Sequence, residues 1–516
     1  MWASASFVGV LIIIGLPLWW KTTEVYRVTL PYDQISAFDQ LPRTISTDLK
    51  ILANDEATAS ELAALIEVAF EDSNTIKPKI HKAVLSDELH HALESVADEH
   101  DAVDEVAAAY NLTAHNCFYV VQRRPLFQQV WLAGERVMFF RDSEDAPIVV
   151  EALQKWVYQM SVLDGGRADN AADSARRTRL PPSAGYHVVL SVVHPTPDKL
   201  KVNFDAKEAV EDYIGSFVDE LSILHNFTLK SQWLYLLNFD FQAREMKDNS
   251  DSGRHYSVRR DRLHRLLTAL EERAATHVAA LPTVNLAMYL VPCRMAPLVI
   301  YHDVAKPVLA PVQAFMSPKW GGVVLASPEE VDCTPQAVWH PNTRLIMGTF
   351  LAQLRPLLGI PDTAFISGAF LEPLRSVSPR RWELDALLRL RTLEQITTAQ
   401  RTLQSLAQLL GEISNIVIND EVGASINSAV ENIQKASVLA AEGDIIAAYE
   451  TSKRAYLAAE TAFMDPSLLA LLYFPDDQKY AIYIPLFLPI MFPVVLSLKN
   501  LLLWFRGKPV HKDKTD

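Results

Sequence analysis

The side chains best suited to chemistry form two patterns, a cysteine beside a histidine and a histidine-rich helix. His115-Asn116-Cys117 puts a thiol two residues from an imidazole, which suggests a cysteine hydrolase, but such dyads are usually assembled from distant segments of a chain. Because Cys117 stands beside a predicted strand, a buried thiol is the simpler interpretation. His90 and Glu94 share one helical face, but the inverted zinc motif would need histidine where Ser95 stands. A solvated helix face is therefore favoured over a metal site.

The sequence motifs of common catalytic classes are absent. There is no His-Glu-x-x-His, no Gly-x-x-x-x-Gly-Lys, no Gly-x-Ser-x-Gly and no Cys-x-x-Cys in the 516 residues. The acidic pairs Glu329-Glu330 and Asp476-Asp477 are turn or surface charges by default, since no partner for acid–base chemistry can be assigned to them. We therefore predict no catalytic, cofactor-binding or metal-binding residue.

One further segment, Ser317-Pro318-Lys319-Trp320-Gly321-Gly322, has a distinctive composition. Proline and tryptophan before a double glycine predict a tight turn that leads into a strand at 323–326. A binding edge near Trp320 is the alternative.

Two stretches with α/β character must position all of these residues. Residues 37–165 alternate predicted strands at 44–52, 118–122 and 137–141 with helices at 57–70, 88–110 and 146–162. A small, polar linker at 167–182 precedes residues 183–360, where strands and helices alternate as β-α-β-α-β. That order favours a largely parallel sheet with helices packed on it. The predicted strands here are 187–194, 232–237, 284–291, 298–302 and 322–326, and the predicted helices are 207–224, 256–278 and 334–358.

Residues 380–464 read as almost continuous helix, with breaks expected at Gly423 and Gly443. The predicted fold class is therefore α/β, with mixed or largely parallel sheet layers, a C-terminal helical bundle and flanking transmembrane helices.

Composition excludes two broad classes of protein. A formal net charge of −14 argues against nucleic-acid binding, which depends on basic side chains. Hydrophobic residues at 49% against 21% charged residues exclude a disordered chain. The mean hydropathy of +0.07 reflects an apolar excess that is concentrated at the two ends.

Both ends carry uncharged runs of membrane-spanning length. Residues 2–20 would form about 28 Å of helix, close to the roughly 30 Å hydrocarbon core. An uncleaved anchor within 1–20 is favoured over a cleaved signal peptide, which would need a basic start and small residues at a cleavage site. Residues 480–498 form the second run, and the basic tail at 499–516 that follows it predicts two cytoplasmic termini around a translocated middle. Pro485, Pro489 and Pro493 lie near one helical face, as expected of a kinked anchor or of a helix shaped to pack in a bundle.

Several short signals suggest the compartment of that middle region. Asn111 and Asn226 begin N-glycosylation triplets that would be used if the region is lumenal. One disulfide is possible among Cys117, Cys293 and Cys333. Lys512 and Lys514 have the form of a C-terminal dilysine retrieval signal, with a generic basic tail as the alternative. Together these features favour the endoplasmic reticulum membrane.

A resemblance to a known family rests on motifs that reach from one end of the chain to the other. In order they occupy residues 15–24, 317–322, 350–355, 382–385, 405–418 and 465–489. The fourth reads Trp382-Glu383-Leu384-Asp385, and the last runs from Asp465-Pro466-Ser467-Leu468 through Tyr473-Phe474-Pro475-Asp476-Asp477. In these residues the chain resembles the PIG-S family, a subunit of the glycosylphosphatidylinositol (GPI) transamidase complex.

The resemblance implies a non-catalytic, two-pass endoplasmic reticulum protein with a lumenal α/β domain and no cofactor. Its partners would be a caspase-like catalytic subunit, further membrane subunits and, through the complex, the GPI lipid and the precursor protein, with no nucleic acid. Two other interpretations remain open. The chain could be a substrate or GPI receptor within the same machinery, acting near Trp320, or a free-standing lumenal hydrolase that uses Cys117 or a Ser/His pair not evident from the sequence.

Overall fold

The computed structural model describes residues 6, 9–15, 17–18, 21, 26–163, 177–239, 242–247, 254–274, 281–303, 306–413, 416–470 and 476–506. Contacts divide the chain into two compact units. The larger contains residues 42–395 and 435–453, and the smaller contains residues 1–41, 396–434 and 454–516.

The described strands lie in the larger unit and form four sheets. In chain order they are β1 Ile45–Ala53, β2 Ile76–Val84, β3 Cys117–Gln122, β4 Val130–Leu132, β5 Val137–Phe140, β6 Gly185–His194, β7 Lys201–Val202, β8 Asn226–Tyr235, β9 Arg244–Lys247, β10 Arg254–Arg259, β11 Thr283–Leu290, β12 Leu298–Asp303, β13 Lys306–Pro307, β14 Gln313–Ser317, β15 Gly321–Ala326, β16 Val338–Trp339 and β17 Ala369–Leu371.

The longer helices alternate with these strands and then replace them. They are α1 Glu56–Glu71, α2 Asp87–Ser95, α3 Glu99–Ala109, α4 Ala146–Ala152, α5 (Ala206–Ala209, the π-helical Val210–Gly215 and Ser216–Glu220), α6 His264–Ala274, α7 Thr343–Leu358, α8 Arg381–Glu412, α9 Asp420–Glu442, α10 Ile445–Phe463 and α11 Asp476–Phe505. Local signals fix several of their ends. Asp55 caps α1 by accepting a hydrogen bond from the Thr58 N–H at 2.7 Å, and Gly359 ends α7 at a φ of +108°.

The two largest sheets share a five-stranded topology, to which the first sheet adds β17 as an edge strand parallel to β4. In the first sheet the order is β17-β4-β5-β3-β1-β2, and in the second it is β14-β15-β11-β6-β8. In the first sheet β1 pairs in parallel with β2 on one side and with β3 on the other. In the second sheet β6 pairs in parallel with β8 on one side and with β11 on the other. An antiparallel hairpin follows in each sheet, β4–β5 in the first and β14–β15 in the second. The second strand of each hairpin completes the parallel set, because β5 pairs with β3 and β15 pairs with β11. The larger unit therefore contains a structural duplication, which we call the first and second repeats.

The two repeats share one hydrophobic core. Helices α1 and α4 of the first repeat and α5 and α7 of the second contribute buried side chains to the same cluster, together with the beginning of α8. On the opposite faces of the sheets, α2 and α3 cover a second cluster and α6 covers a third. A sheet that is buried on both faces explains why β3, β5 and β15 are entirely apolar or nearly so, as is typical of parallel strands.

A four-stranded sheet of order β13-β12-β10-β9 distinguishes the second repeat from the first. Its apolar face, which includes Val258, Leu298 and Ile300, packs in the same cluster as α6. The corresponding connection in the first repeat, between β2 and α2, is only residues 85–86.

Several predicted elements were wrong in extent. The helix expected at 256–278 begins as strand β10, and the helix expected at 334–358 starts only at Thr343. The helix at 88–110 is two helices, and strand β2 was missed. Gly423 lies inside α9, so it is not a helix break, whereas Gly443 does separate α9 from α10.

The smaller unit joins its N-terminal segment to the start of α9. Arg27 forms a parallel β-bridge with Ile418, and the Val28 N–H donates to the Ile418 carbonyl at 3.1 Å. The Arg27 side chain donates to the carbonyl oxygen of Leu410 at the end of α8. Gly423 leaves room for Val28, because a Cβ there would lie 2.9 Å from its side chain.

The predicted terminal segments are only partly described. Much of 1–20 and all of 507–516, including Lys512 and Lys514, lie outside the described residues. Among the helices that the structure does describe, none combines the length and apolar character that a membrane crossing requires.

Candidate functional site

The most distinctive site of the larger unit is the first half of helix α8, residues 381–395, which we call the anchor segment. Its apolar residues Trp382, Leu384, Leu387 and Leu388 enter the shared core. Four of its charged residues are also buried, which is rare unless each charge is paired. The exposed fractions are 2% for Glu383, 3% for Asp385, 2% for Arg389 and 0% for Arg391.

Asp385 binds the anchor segment to the first repeat. Arg136, which precedes β5, donates from Nε to Asp385 Oδ2 at 2.6 Å and from Nη2 to Oδ1 at 2.9 Å. His115 Nδ1 lies 3.0 Å from the same Oδ1. Burial acts to raise the pKa of Asp385, but hydrogen bonds from Arg136 and His115 outweigh it and hold that pKa below its usual value. The carboxylate is therefore ionised and fully engaged.

Arg389 and Arg391 donate hydrogen bonds to carbonyl and amide oxygens on either side of the same helix. Arg389 donates to Asn116 Oδ1 at 3.1 Å and to the Val157 carbonyl at 2.8 Å, both in the first repeat. Arg391 donates to the Leu180 carbonyl at 3.2 Å and to the Leu358 carbonyl at 3.0 Å, at the start and the end of the second. One helix thus supplies hydrogen-bond donors to both repeats.

Glu383 forms a second buried ion cluster. Its Oε1 accepts from Arg355 of α7 at 2.7 Å and from Arg380 at 2.9 Å, while Oε2 accepts from the Arg380 N–H at 2.8 Å. The indole of Trp382 donates to the carbonyl oxygen of Ala133 at 2.9 Å. The helix start is consequently fixed to α7 on one side and to the β4–β5 hairpin on the other.

The turn at 317–322 is a close-packed connection within the second repeat. Gly321 has a φ of +148°, and a Cβ there would overlap the carbonyl oxygen of Asn285 on the neighbouring strand β11. Gly322 gives the same kind of room to Gln353 of α7, whose amide donates to the Phe315 carbonyl at 3.1 Å. The side chain of Trp320 is half-buried and packs against the core that α6 covers. The predicted turn is confirmed, and its two glycines are required by close approach of two elements.

The structure does not assemble a cysteine–histidine dyad from His115 and Cys117. His115 is engaged with Asp385 and Arg136, and no hydrogen bond joins it to Cys117 among the described residues. Burial raises the pKa of the Cys117 thiol, which disfavours the thiolate that a nucleophile needs. Cys117 is 7% exposed and packs in the core under α2 and α3.

Thiol reactivity tests this arrangement. Cys117 is the free cysteine, since Cys293 and Cys333 form a disulfide. We expect the folded chain to react with an aromatic disulfide reagent at none of its three cysteines, the denatured chain to react at one, and the denatured and reduced chain to react at three. The exposed variant Ser95→Cys should react at once in the folded state and serves as the control. Rapid modification of Cys117 without unfolding would contradict its burial.

The remaining candidate residues lie in or beside helices. Glu329 and Asp332 form a capping box, with the Glu329 N–H donating to Asp332 Oδ2 at 3.0 Å. His90 and Glu94 lie on α2, and no group of three or more metal-binding side chains comes together in the part of the chain that the structure describes. Asp476 and Asp477 begin helix α11.

Sequence reasoning missed the anchor segment as a site. The available signal was the pattern Glu383, Asp385, Arg389 and Arg391 inside an otherwise apolar stretch. A helix that is apolar on several faces and still carries charges at regular positions is a candidate for burial with paired ions. The chemistry of these groups is that of fixed ion pairs, which hold elements together.

Taken together, the duplicated sheets and the ion-paired helix packed against them define an α/β protein whose buried charges support packing. The sequence profile described as "Phosphatidylinositol-glycan biosynthesis class S protein" matches residues 6–508. The chain belongs to the PIG-S family.

Individual relatives cover nearly the whole chain. A protein of Rattus norvegicus named GPI-anchor transamidase component PIGS is 34% identical, over 97% of this chain and 94% of that protein. The Homo sapiens protein of the same name is 33% identical, over 100% of this chain and 97% of that protein. The Saccharomyces cerevisiae protein named GPI transamidase component GPI17 is 22% identical, over 95% of this chain and 89% of that protein.

Proposed function

We propose that this chain is a non-catalytic subunit of the endoplasmic reticulum GPI transamidase complex, which attaches preassembled GPI anchors to the C-terminus of precursor proteins. The observation that carries the proposal is similarity along the full chain to proteins named as components of that transamidase. The chain's partners are then the other subunits, including a caspase-like catalytic one, and it meets the GPI lipid and the precursor through them.

The buried motifs support a structural role. Residues 317–322, 350–355 and 382–385 carried the family resemblance, and in this fold they surround the contact between α7, β15 and the anchor segment. The Cys117 thiol, the residue most suited to nucleophilic attack, is buried and has a raised pKa. These contacts hold the elements of the larger unit together, as a subunit on which a complex assembles requires.

We propose a two-pass topology in which both termini are cytoplasmic and the bulk of the chain is lumenal. The divisions are a membrane helix at 1–20, lumenal α/β segments at 37–165 and 183–360, a lumenal helical region at 380–464, a membrane helix at 480–498 and a basic cytoplasmic tail at 499–516 with Lys512 and Lys514 as its retrieval signal. The disulfide between Cys293 and Cys333 supports this topology, since such bonds persist in oxidising compartments such as the lumen. Its Cα atoms are 5.7 Å apart.

Copurification tests the complex assignment. The full-length chain, isolated from its own membranes in mild detergent, should bring down the other transamidase subunits in near-equal amounts, identified by mass spectrometry. A soluble lumenal protein of the same preparation is the control for non-specific capture. Recovery of the chain alone would contradict the proposal.

N-glycosylation tests the orientation. Asn111 and Asn226 are exposed, and Asn111 lies in a turn where its Oδ1 accepts from the Thr113 N–H at 3.0 Å. We expect endoglycosidase treatment to increase the gel mobility of the chain, and Asn111→Gln and Asn226→Gln each to remove one step of that shift.

The matched control for these variants is Thr113→Ser, which keeps an acceptor triplet and should keep the glycan at Asn111. A wild-type chain whose mobility is unchanged by the endoglycosidase would contradict a lumenal middle region, as would protease digestion of that region in sealed microsomes.

A further inference from the structure

The four-stranded sheet of the second repeat carries a concentration of arginine that packing does not require. The first repeat connects β2 to α2 with residues 85–86 alone, whereas the second repeat inserts residues 236–263 between β8 and α6. Because the duplicated fold closes without this insertion, its outward-facing residues are free of a role in the shared core.

The antiparallel register of β9 and β10 brings the arginines to one end of the sheet. Arg244 pairs with Ser257, two residues before β10 ends at Arg259. The chain then continues through a 3₁₀ turn into the first turn of α6. We call the following residues the arginine cluster: Arg244, Arg259, Arg260, Arg262 and Arg265. Arg262 is half-buried and the other four are exposed.

Among the residues that the structure describes, one carboxylate, that of Asp261, pairs with the arginine cluster. Asp261 accepts from Arg259 Nη2 at 2.6 Å and from its Nε at 3.1 Å. Arg262 donates to the neutral amide oxygen of Gln242 at 2.7 Å. Among the described residues no carboxylate lies within ion-pair distance of the other three arginines. In the described part of the chain the five guanidinium groups of the cluster thus form one ion pair, with Asp261, on a chain whose net charge is −14.

Two of these arginines are also placed against local helix preference. Arg262 lies two residues before α6 and Arg265 stands in its first turn, where the helix dipole favours acidic residues and disfavours basic ones. Basic residues at the positive end of a helix slightly lower the stability of the unbound chain. An anion bound beside them would offset that loss.

We propose that the arginine cluster is a docking surface for an acidic segment of another protein subunit, and this rests on the proposed function. The Arg259–Asp261 pair already has the two-bond geometry by which guanidinium groups bind carboxylates. Arginine is also enriched at protein interfaces. The cluster spreads across a sheet end and a helix start, which suits an extended acidic segment better than a small anion that needs a concave pocket. Charge attraction at this surface mainly raises the rate at which the two subunits associate and makes that rate depend on the salt concentration.

The test uses the full-length chain in its complex, isolated at low and high salt. Arg260→Glu/Arg265→Glu reverses two exposed charges, and Lys199→Glu/Lys230→Glu makes the same change at exposed lysines elsewhere in the second repeat. We expect the arginine variant to lower the association rate of one identified subunit by about tenfold at low salt, with the difference shrinking at high salt as charges are screened. The lysine variant should behave as wild type. Cys117 should stay unreactive in both, as a measure of folding.

A photo-crosslinker at the exposed Thr268 of α6 identifies what docks. Crosslinks to an Asp- and Glu-rich stretch of that same subunit support the proposal. Crosslinks to lipid alone, or loss of binding to phosphatidylinositol vesicles with subunit association unchanged, overturn it in favour of a phosphate-bearing ligand. Equal association of both variants at both salt concentrations overturns the docking surface and leaves the proposed function intact, whereas a wild-type chain with no transamidase subunits would overturn both.

Discussion

Replacing Asp385 with alanine should destabilise the larger unit by about 3–5 kcal/mol, the usual result of breaking a buried ion pair. The substitution leaves Arg136 buried without its carboxylate partner, beside the buried charge of Arg389. We expect a lower midpoint of chemical unfolding for the purified chain in detergent and a smaller yield of assembled complex.

Two companion variants separate charge from packing. Arg136→Met/Asp385→Leu removes both charges and should recover most of the lost stability, since apolar replacements of a buried pair are often neutral or better. Glu211→Ala removes a carboxylate whose side chain is 60% exposed and should change stability by less than about 1 kcal/mol. An Asp385→Ala chain as stable as the Glu211→Ala chain would show that the anchor segment does not depend on its ion pairs.

The same carboxylate predicts a pH dependence. Because the pKa of Asp385 is lowered in the folded state, its stabilising contribution is fully present above about pH 4, the usual value for an unfolded aspartate, and is lost as pH falls toward the lowered pKa. Unfolding midpoints measured from pH 6 down to pH 3 should therefore fall more steeply for the wild type than for Asp385→Asn. Parallel curves would argue against this assignment.

Gly321→Ala should prevent stable folding of the second repeat, with a cost above about 4 kcal/mol. The φ of +148° at this position is strained for any side chain, and the added Cβ would meet the backbone of Asn285, which cannot move without breaking the pairing of β11 and β15. The expected result is a chain that accumulates poorly and exposes Cys117 to thiol reagents.

The matched control is Gly348→Ala, which adds the same methyl group inside α7. A Cβ there meets nothing within 4 Å, and alanine is the better helix former by about 0.8–1 kcal/mol. We expect this variant to be slightly more stable than wild type. A Gly321→Ala chain with normal yield and a protected Cys117 would contradict the close approach of the two strands.

Strand prediction succeeded where a strand is apolar nearly throughout or alternates clearly. β3, β6, β11 and β15 were each located within a few residues from their apolar runs, and β1 from its alternating pattern. β2 was missed because it lies at the sheet edge, where lysines and a proline replace the apolar pattern. β10 was predicted as helix because its arginine-rich sequence continues into α6 without a break.

The sequence by itself determined the α/β class, the turn before β15 and the family to which the chain belongs, since each of these is written in local composition or in short motifs. Only the tertiary structure disclosed the duplication, because two repeats can share a topology with no similar residues in equivalent places. It also decided the role of the anchor segment. Whether Glu383 and Asp385 face water or a buried arginine depends on Arg355 and Arg136, which lie far away in sequence and come close only when the sheets pack on the helix.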